Sequence, residues 1–118
     1  MATAGFGFPK AERIRKRAEY LRIQNTGRKL HTASLLAFTV WQKPYPLRLG
    51  ITVSKRVGNA VVRTRVKRLL REVFRHNKER LPPGLQLVIV AKPDAAHLDF
   101  PRTQSEFLDI CRRCGPRS

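Results

Sequence analysis

The sequence predicts an α+β or α/β sandwich in which helices pack on one small sheet. Three segments have apolar residues at helical spacing, and three others are short and rich in β-branched, aromatic or continuously apolar residues, as strands are. Their order is helix, strands, helix, strand, helix, which is typical of this class. The 118 residues suit one domain, which we expect over residues 10–118, behind a flexible, Gly-rich arm at residues 1–9.

The first helix is predicted within AERIRKRAEYLRIQNTG, residues 11–27. Its apolar stripe recurs at i, i+4 and i+7 and consists of Ile14, Ala18 and Leu21. Gly27 stands where the C-terminal cap of such a helix is expected. The face beside the stripe carries Arg13, Arg17, Tyr20 and Gln24.

Strands are predicted at residues 34–41 and 47–54, where β-branched and aromatic residues are frequent. The intervening KPYP indicates a turn, so we expect these strands to form a hairpin-like pair. Residues 85–91, LQLVIVA, are continuously apolar, which predicts a strand buried on both faces. A last helix is predicted over residues 101–113, and its apolar residues are Phe107, Leu108, Ile110 and Cys111.

The segment SKRVGNAVVRTRVKRLLREVFR, residues 54–75, combines a dense run of cations with one acid, Glu72. From residue 61 to 77 it predicts a helix whose one-sided apolar stripe is Val62, Val66, Leu69, Leu70, Val73 and Phe74. The opposite face carries Thr64 with Lys67, Arg68, Arg71, Arg75 and Lys78, and the two flanks carry Arg63 and Arg65. One face can therefore bury against a sheet while the other presents cations.

The residues ahead of this helix predict a turn that can meet an anion. Gly58 and Asn59 favour a turn, and Asn59 is a candidate N-cap. Backbone amides just before a helix N-terminus can bind a phosphate, and Lys55 and Arg56 flank that point.

The charge balance points to a polyanionic partner. Lys and Arg number 25 against 8 acids, a formal net charge of +17, and the charge is spread through the chain. A solvated charged helix face would normally carry acids for i,i+4 pairs, and here they are almost missing. A nucleic-acid-binding surface is thus favoured over a charged helix face that contacts only water. An anionic membrane surface is a further alternative, although no apolar run reaches transmembrane length and no secretory signal is visible at the N-terminus.

The basic segment resembles the signature of the protein subunit of bacterial ribonuclease P. The resemblance spans about residues 10–113, and matching positions in the signature are Lys55, Arg56, Gly58, Asn59, Ala60, Val61, Arg63, Arg65, Lys67, Arg68, Arg71 and Glu72. One departure stands at the centre, where the family usually has Arg-Asn-Arg and this chain has Arg63-Thr64-Arg65. Threonine keeps one hydrogen-bonding oxygen but lacks the amide donor.

The resemblance implies a mixed sheet of about four strands in the order α-β-β-(β)-α-β-α, with a left-handed crossover between parallel strands. It implies a cytoplasmic subunit, a monomer within the ribonucleoprotein, that binds ribonuclease P RNA and the 5′ leader of precursor tRNA. Mg²⁺ would serve the RNA-based holoenzyme and not be bound tightly by this chain. The implied contacts to the RNA subunit are Lys55, Arg56, Asn59, Arg63, Thr64, Arg65, Lys67, Arg68 and Arg71. The implied leader cleft consists of Tyr20, Phe38, Arg13, Arg17 and Gln24.

No catalytic or metal-binding constellation is visible in the chain itself. The eight acids are scattered, and His31, His76 and His97 stand on different predicted elements. The pair Cys111 and Cys114 has no second pair to complete a zinc site, so we expect Cys111 to pack and Cys114 to be an incidental thiol. The alternative function is a non-catalytic RNA-binding protein of ribosomal type.

Overall fold

The computed structural model describes residues 13–14, 16–41, 47–81 and 84–114. Its elements in chain order are α1 (Arg17–Thr26), β1 (Arg28–His31), β2 (Leu35–Trp41), β3 (Arg48–Thr52), α2 (Ala60–Asn77), β4 (Leu85–Ala91) and α3 (Phe100–Cys114). Short 3₁₀ helices stand at Lys78–Arg80 and Pro93–His97. The arm predicted at residues 1–9 and the turn predicted at KPYP lie outside the described residues. The order of helices and strands is the predicted one.

The four strands form one mixed sheet in the order β1-β2-β4-β3. β2 runs antiparallel to β1 and to β4, while β3 runs parallel to β4, with Gly50 opposite Val88. The predicted hairpin between β2 and β3 is therefore wrong, because β4 lies between them. β4 is buried along almost its whole length, as predicted, and a central position gives its backbone a partner on both sides. The parallel pair is joined through α2; the left-handedness of that crossover stays a prediction.

Helices cover both faces of the sheet. On one face α2 and α3 pack on the larger core, where the rings of Phe74 and Phe107 meet edge to face with centroids 6.4 Å apart. On the other face α1 covers a smaller cluster, Ile14, Ile23, Phe38 and Val88. The predicted apolar stripe of α2 supplies the larger core, since Val66, Leu70 and Val73 are fully buried.

The predicted stripe of the first helix is wrong. Ile14 is buried, but it precedes the helix in an extended segment, where its N–H donates to Leu49 O at 3.0 Å. Ala18 and Leu21 are exposed, and the buried apolar residue of α1 is Ile23. The face toward the sheet instead includes Glu19 and Tyr20, polar residues that find partners on β3.

The residue pattern does not predict β1, RKLH, because this strand has four residues and buries only Leu30. Gly27 caps α1 as predicted, with its N–H donating to Ile23 O at 2.7 Å. A Cβ there would lie 3.0 Å from Thr39 O, so the close approach of β2 also requires glycine.

Candidate nucleic-acid interface

The N-terminus of α2 is capped as the sequence predicts. Asn59 Oδ1 accepts a hydrogen bond from Val62 N at 3.0 Å, which satisfies a backbone donor of the first turn. Gly58 is required because a Cβ at that position would lie 2.9 Å from Val62 Cβ. Lys55 and Arg56 stand exposed in the turn just ahead of the cap. The loop and the helix start are thus one rigid unit with cations on its surface.

α2 has the two faces that its sequence pattern predicts. Opposite the buried stripe, Thr64, Arg68 and Arg71 are exposed, and Lys67 is half-buried. Glu72 is paired locally, with its carboxylate 2.7 Å from the Arg75 guanidinium. Within the described part of the chain no acidic side chain forms an ion pair with Arg68 or Arg71, so their charges face solvent uncompensated.

Arg63 and Arg65 have intramolecular partners that sequence reasoning missed. Arg63 Nε donates to Gly58 O at 3.2 Å, which closes the turn ahead of α2. The Arg65 guanidinium donates to Leu98 O at 2.7 Å and also to Ala96 O. Arg65 thereby connects α2 to the segment that leads into α3. No sequence signal identifies these bonds, because the acceptors are backbone carbonyls.

A second surface lies on the opposite side of β3, where α1 meets the sheet edge. There a groove of about 440 Å³ is lined by Arg17, Tyr20, Leu21, Gln24 and Thr52. The groove brings together three of the five predicted leader-cleft residues. Arg13 is not on the helix but forms a parallel bridge with Leu49. Phe38 is 8% exposed and packs beneath α1, with Lys29 Nζ 5.7 Å from its ring centroid.

Tyr20 is held in a defined position in this groove. Its hydroxyl donates to Ile51 O at 3.3 Å, and its ring lies so close to Gly50 that a Cβ there would be 2.8 Å from Tyr20 Cζ. Burial raises the pKa of Tyr20, an effect opposed by the hydrogen bond to Ile51 O and by the charge of Arg71. The phenol therefore remains protonated and keeps its role as a donor.

A buried polar cluster beside the groove holds α1 on the sheet. Arg48 of β3 is 9% exposed and donates from both terminal nitrogens to the Glu19 carboxylate, at 3.1 and 3.3 Å. Its Nε donates to Gln86 Oε1 at 2.5 Å. Glu19 immediately precedes Tyr20, so this ion pair fixes the helix turn that presents the tyrosine. The three residues are far apart in sequence, and no local pattern reveals them.

Groups for independent catalysis do not come together in the described ranges. They contain no cluster of three or more His, Cys, Asp or Glu side chains that could hold a metal ion. The three histidines are exposed, as expected, on separate elements.

Cys114 is not an incidental thiol, since it is 4% exposed and part of the larger core. Burial, with the neighbouring Cys114, raises the pKa of Cys111 to about 12. Among the described helices, none combines the length and apolarity that crossing a membrane requires.

A small α+β domain with a rigid, one-sided basic helix defines a nucleic-acid-binding protein. The family model described as Ribonuclease P matches residues 8–115. The ribonuclease P protein component of Geotalea uraniireducens is 42% identical over 108 residues, which cover 92% of this chain and 95% of the relative. The chain belongs to the ribonuclease P protein family.

Solved structures agree with this assignment. The Staphylococcus aureus RNase P protein gives a TM-score of 0.81 at 30% identity, covering 89% of this chain and 96% of that one. The Thermotoga maritima RNase P protein gives 0.80 at 28% identity, covering 89% and 99%. This chain is therefore a subunit of an endoribonuclease of tRNA processing whose catalytic subunit is RNA, and that RNA is its partner.

Proposed function

We propose that the protein uses two separate surfaces, one for ribonuclease P RNA and one for the 5′ leader of precursor tRNA. The first is the loop at Lys55 and Arg56 together with the exposed face of α2. The second is the groove between α1 and β3. The observation that carries the proposal is the division of α2 into an apolar stripe that packs in the core and an exposed basic face.

The docking surface is supported by its charge. Arg68 and Arg71 are exposed cations without an acidic partner among the described side chains, and the whole chain has a net charge of +17. The cations of such a face repel one another until phosphates neutralise them. Binding of the RNA should therefore also stabilise the folded domain. Arg63 and Arg65 are less free to reach phosphates, because their guanidinium groups already hold backbone carbonyls. Their contribution to docking is to shape the surface.

The leader groove is supported by its chemistry. Single-stranded RNA is recognised by stacking on aromatic rings and by hydrogen bonds to splayed bases. Tyr20 supplies a ring in a fixed position, Gln24 and Thr52 supply polar groups, and Arg17 supplies a cation at the rim. Phe38 lies mostly beneath α1, so we assign it to the floor that supports this groove, in contact with Lys29.

We also propose that Mg²⁺ for the phosphodiester hydrolysis is bound by the RNA. Phosphate-rich RNA offers the hard oxygen ligands that Mg²⁺ prefers. In the described part of this chain, no three candidate ligand side chains come together. We further propose that the protein is a monomer within the ribonucleoprotein and acts in the cytoplasm.

Three affinities test the two surfaces: that of the protein for ribonuclease P RNA, and those of the holoenzyme for precursor and mature tRNA. The double change of Lys55 and Arg68 to Ala, both exposed and neither acting on Tyr20, should weaken assembly, and substrate affinity should recover once high protein concentration forces assembly. Tyr20→Ala should leave assembly nearly unchanged and weaken precursor binding by about 1–3 kcal/mol, the value of one stacked base. Mature tRNA lacks the leader and should bind as before.

Two further variants serve as controls for this experiment. Arg112→Ala removes one charge from an exposed site on α3 (side chain 72% exposed) and should weaken neither interaction. Gly50→Ala keeps the tyrosine but displaces its ring, so it should lower precursor affinity in the same direction as Tyr20→Ala. If Tyr20→Ala weakened the binding of all three RNAs alike, Tyr20 would be a fold-supporting residue and the groove would not bind the leader. RNA binding without any effect on cleavage would instead favour a ribosomal-type protein.

A further inference from the structure

An apolar patch stands in the middle of the basic surface at the start of α2. Val61 is 77% exposed, and it lies outside both hydrophobic core clusters. Together with its neighbours it lines a shallow depression of about 400 Å³; these neighbours are Ala60, Thr64, Arg65 and Arg68. We call this depression the Val61 patch.

The fold itself gives no reason for valine at this position. The neighbouring Val62 packs against the core and Val66 is fully buried within it, which leaves Val61 on the other side of the first helical turn. At an exposed helix position a β-branched residue is less favourable than alanine or a long polar residue. An exposed valine here therefore costs some helix stability and gains little burial among the described residues.

The rim of the patch defines what can occupy it. Arg65 is fixed by its bonds to Leu98 O and Ala96 O, so its aliphatic stem forms a rigid wall. Arg68 is exposed and available to an anion. An aliphatic side chain of another protein would fill the floor but would desolvate the arginine without an anionic partner. A nucleotide offers both parts, since its base has an apolar face and its phosphate is an anion.

We propose that the Val61 patch binds one unpaired nucleotide of ribonuclease P RNA, with the base on Val61 and a phosphate at Arg68. This inference rests on the proposed docking of α2 on the RNA subunit and adds a defined contact within it. The contact assigned to Val61 depends on apolar area and not on charge. The salt dependence of the affinity can therefore distinguish it from the contacts between cations and phosphates around it.

The test is the affinity of the protein for ribonuclease P RNA as a function of salt. Val61→Ser should weaken binding on the order of fivefold at every salt concentration, below the range of aromatic stacking because valine is smaller. The slope of log K against log salt should stay unchanged, because no phosphate contact is lost. Arg68→Ala should instead reduce the steepness of that slope by roughly 0.7–0.9. Val61→Ile, which keeps the apolar surface, should bind as the parent does.

Chemical footprinting of the RNA provides the second measurement. The parent protein should protect one unpaired base that becomes reactive with Val61→Ser, while neighbouring protections persist. Unchanged affinity of Val61→Ser would overturn the proposal, and so would a loss accompanied by a reduced salt slope or by a general loss of protection. If Arg68→Ala also left affinity and slope unaltered, the docking of α2 on the RNA would itself be wrong. Thermal melting verifies that each variant is folded, which is expected because Val61 is exposed.

Discussion

Replacement of Glu19 by alanine tests whether the buried ion pair with Arg48 holds α1 against the sheet. In the variant, the Arg48 guanidinium would keep Gln86 as a partner for Nε but would lose the carboxylate that binds both terminal nitrogens. The Arg48 side chain is 11% exposed, so water replaces that carboxylate poorly. Removing one partner of a fully buried pair costs about 3–5 kcal/mol. Because Glu19 is 26% exposed, we expect a smaller loss, about 2–3 kcal/mol.

The chain supplies a matched control for this loss. Glu72 forms an ion pair of similar length with Arg75, 2.7 Å, but both side chains are more exposed, at 39% and 31%. Exposed pairs contribute about 0–1 kcal/mol, so Glu72→Ala should cost no more than that. A domain of this size has a total stability of roughly 5–15 kcal/mol, so both variants should remain folded in buffer.

Urea unfolding monitored by circular dichroism gives the free energy of unfolding for the parent and both variants. Precursor tRNA affinity should fall for Glu19→Ala, since Tyr20 follows directly in the helix turn that the ion pair holds. It should not change for Glu72→Ala. Equal losses of stability in the two variants, each below about 1 kcal/mol, would refute the reasoning, because the Glu19 carboxylate would then contribute no more than an exposed one does.

Three further predictions concern charge, geometry and the thiols. Affinity for ribonuclease P RNA should fall on the order of a thousandfold between about 50 and 200 mM salt if about six phosphates are contacted, and a nearly flat response would contradict electrostatic docking. Arg65→Lys should weaken RNA binding almost as much as Arg65→Ala, since Arg65 reaches its two carbonyls with two separate nitrogens and lysine has only one, whereas Arg68→Lys should retain most of the affinity; equal tolerance at both positions would remove the shaping role of Arg65. Cys111 should react slowly with iodoacetamide at pH 8, because burial raises its pKa from 9.0 to about 12 and the thiolate is the nucleophile. The same shift lowers stability as the pH rises through that window, since the unfolded thiol ionises first. Fast alkylation in the absence of urea would show that the thiol is accessible and ionised.

The sequence by itself determined α2, its cap and its two faces. A period of 3.6 residues places Val66, Leu70 and Val73 on one side of the helix. Because these residues are apolar, this side is the one that is buried. Asn59 as a cap depends on a bond to Val62, three residues away, and such local bonds can be predicted from local spacing. β4, which is apolar except for Gln86, was likewise predictable as a strand buried on both faces, and a resemblance carried by the basic segment identified the family.

Only the tertiary structure decided which neighbours the elements have. The order of β2, β4 and β3 depends on long-range pairing, which no residue pattern within a strand encodes. Arg48, on a strand distant in sequence, decides which face of α1 packs on the sheet. A charged residue such as Glu19 can face a sheet only where a side chain there pairs with it, and Arg48 does so. Arg65 likewise is a solvent-facing cation in the sequence pattern and a tether to two carbonyls in the fold. Contacts between residues 29 to 33 positions apart, such as these, exist only after the chain has closed on itself, so local spacing could not reveal them.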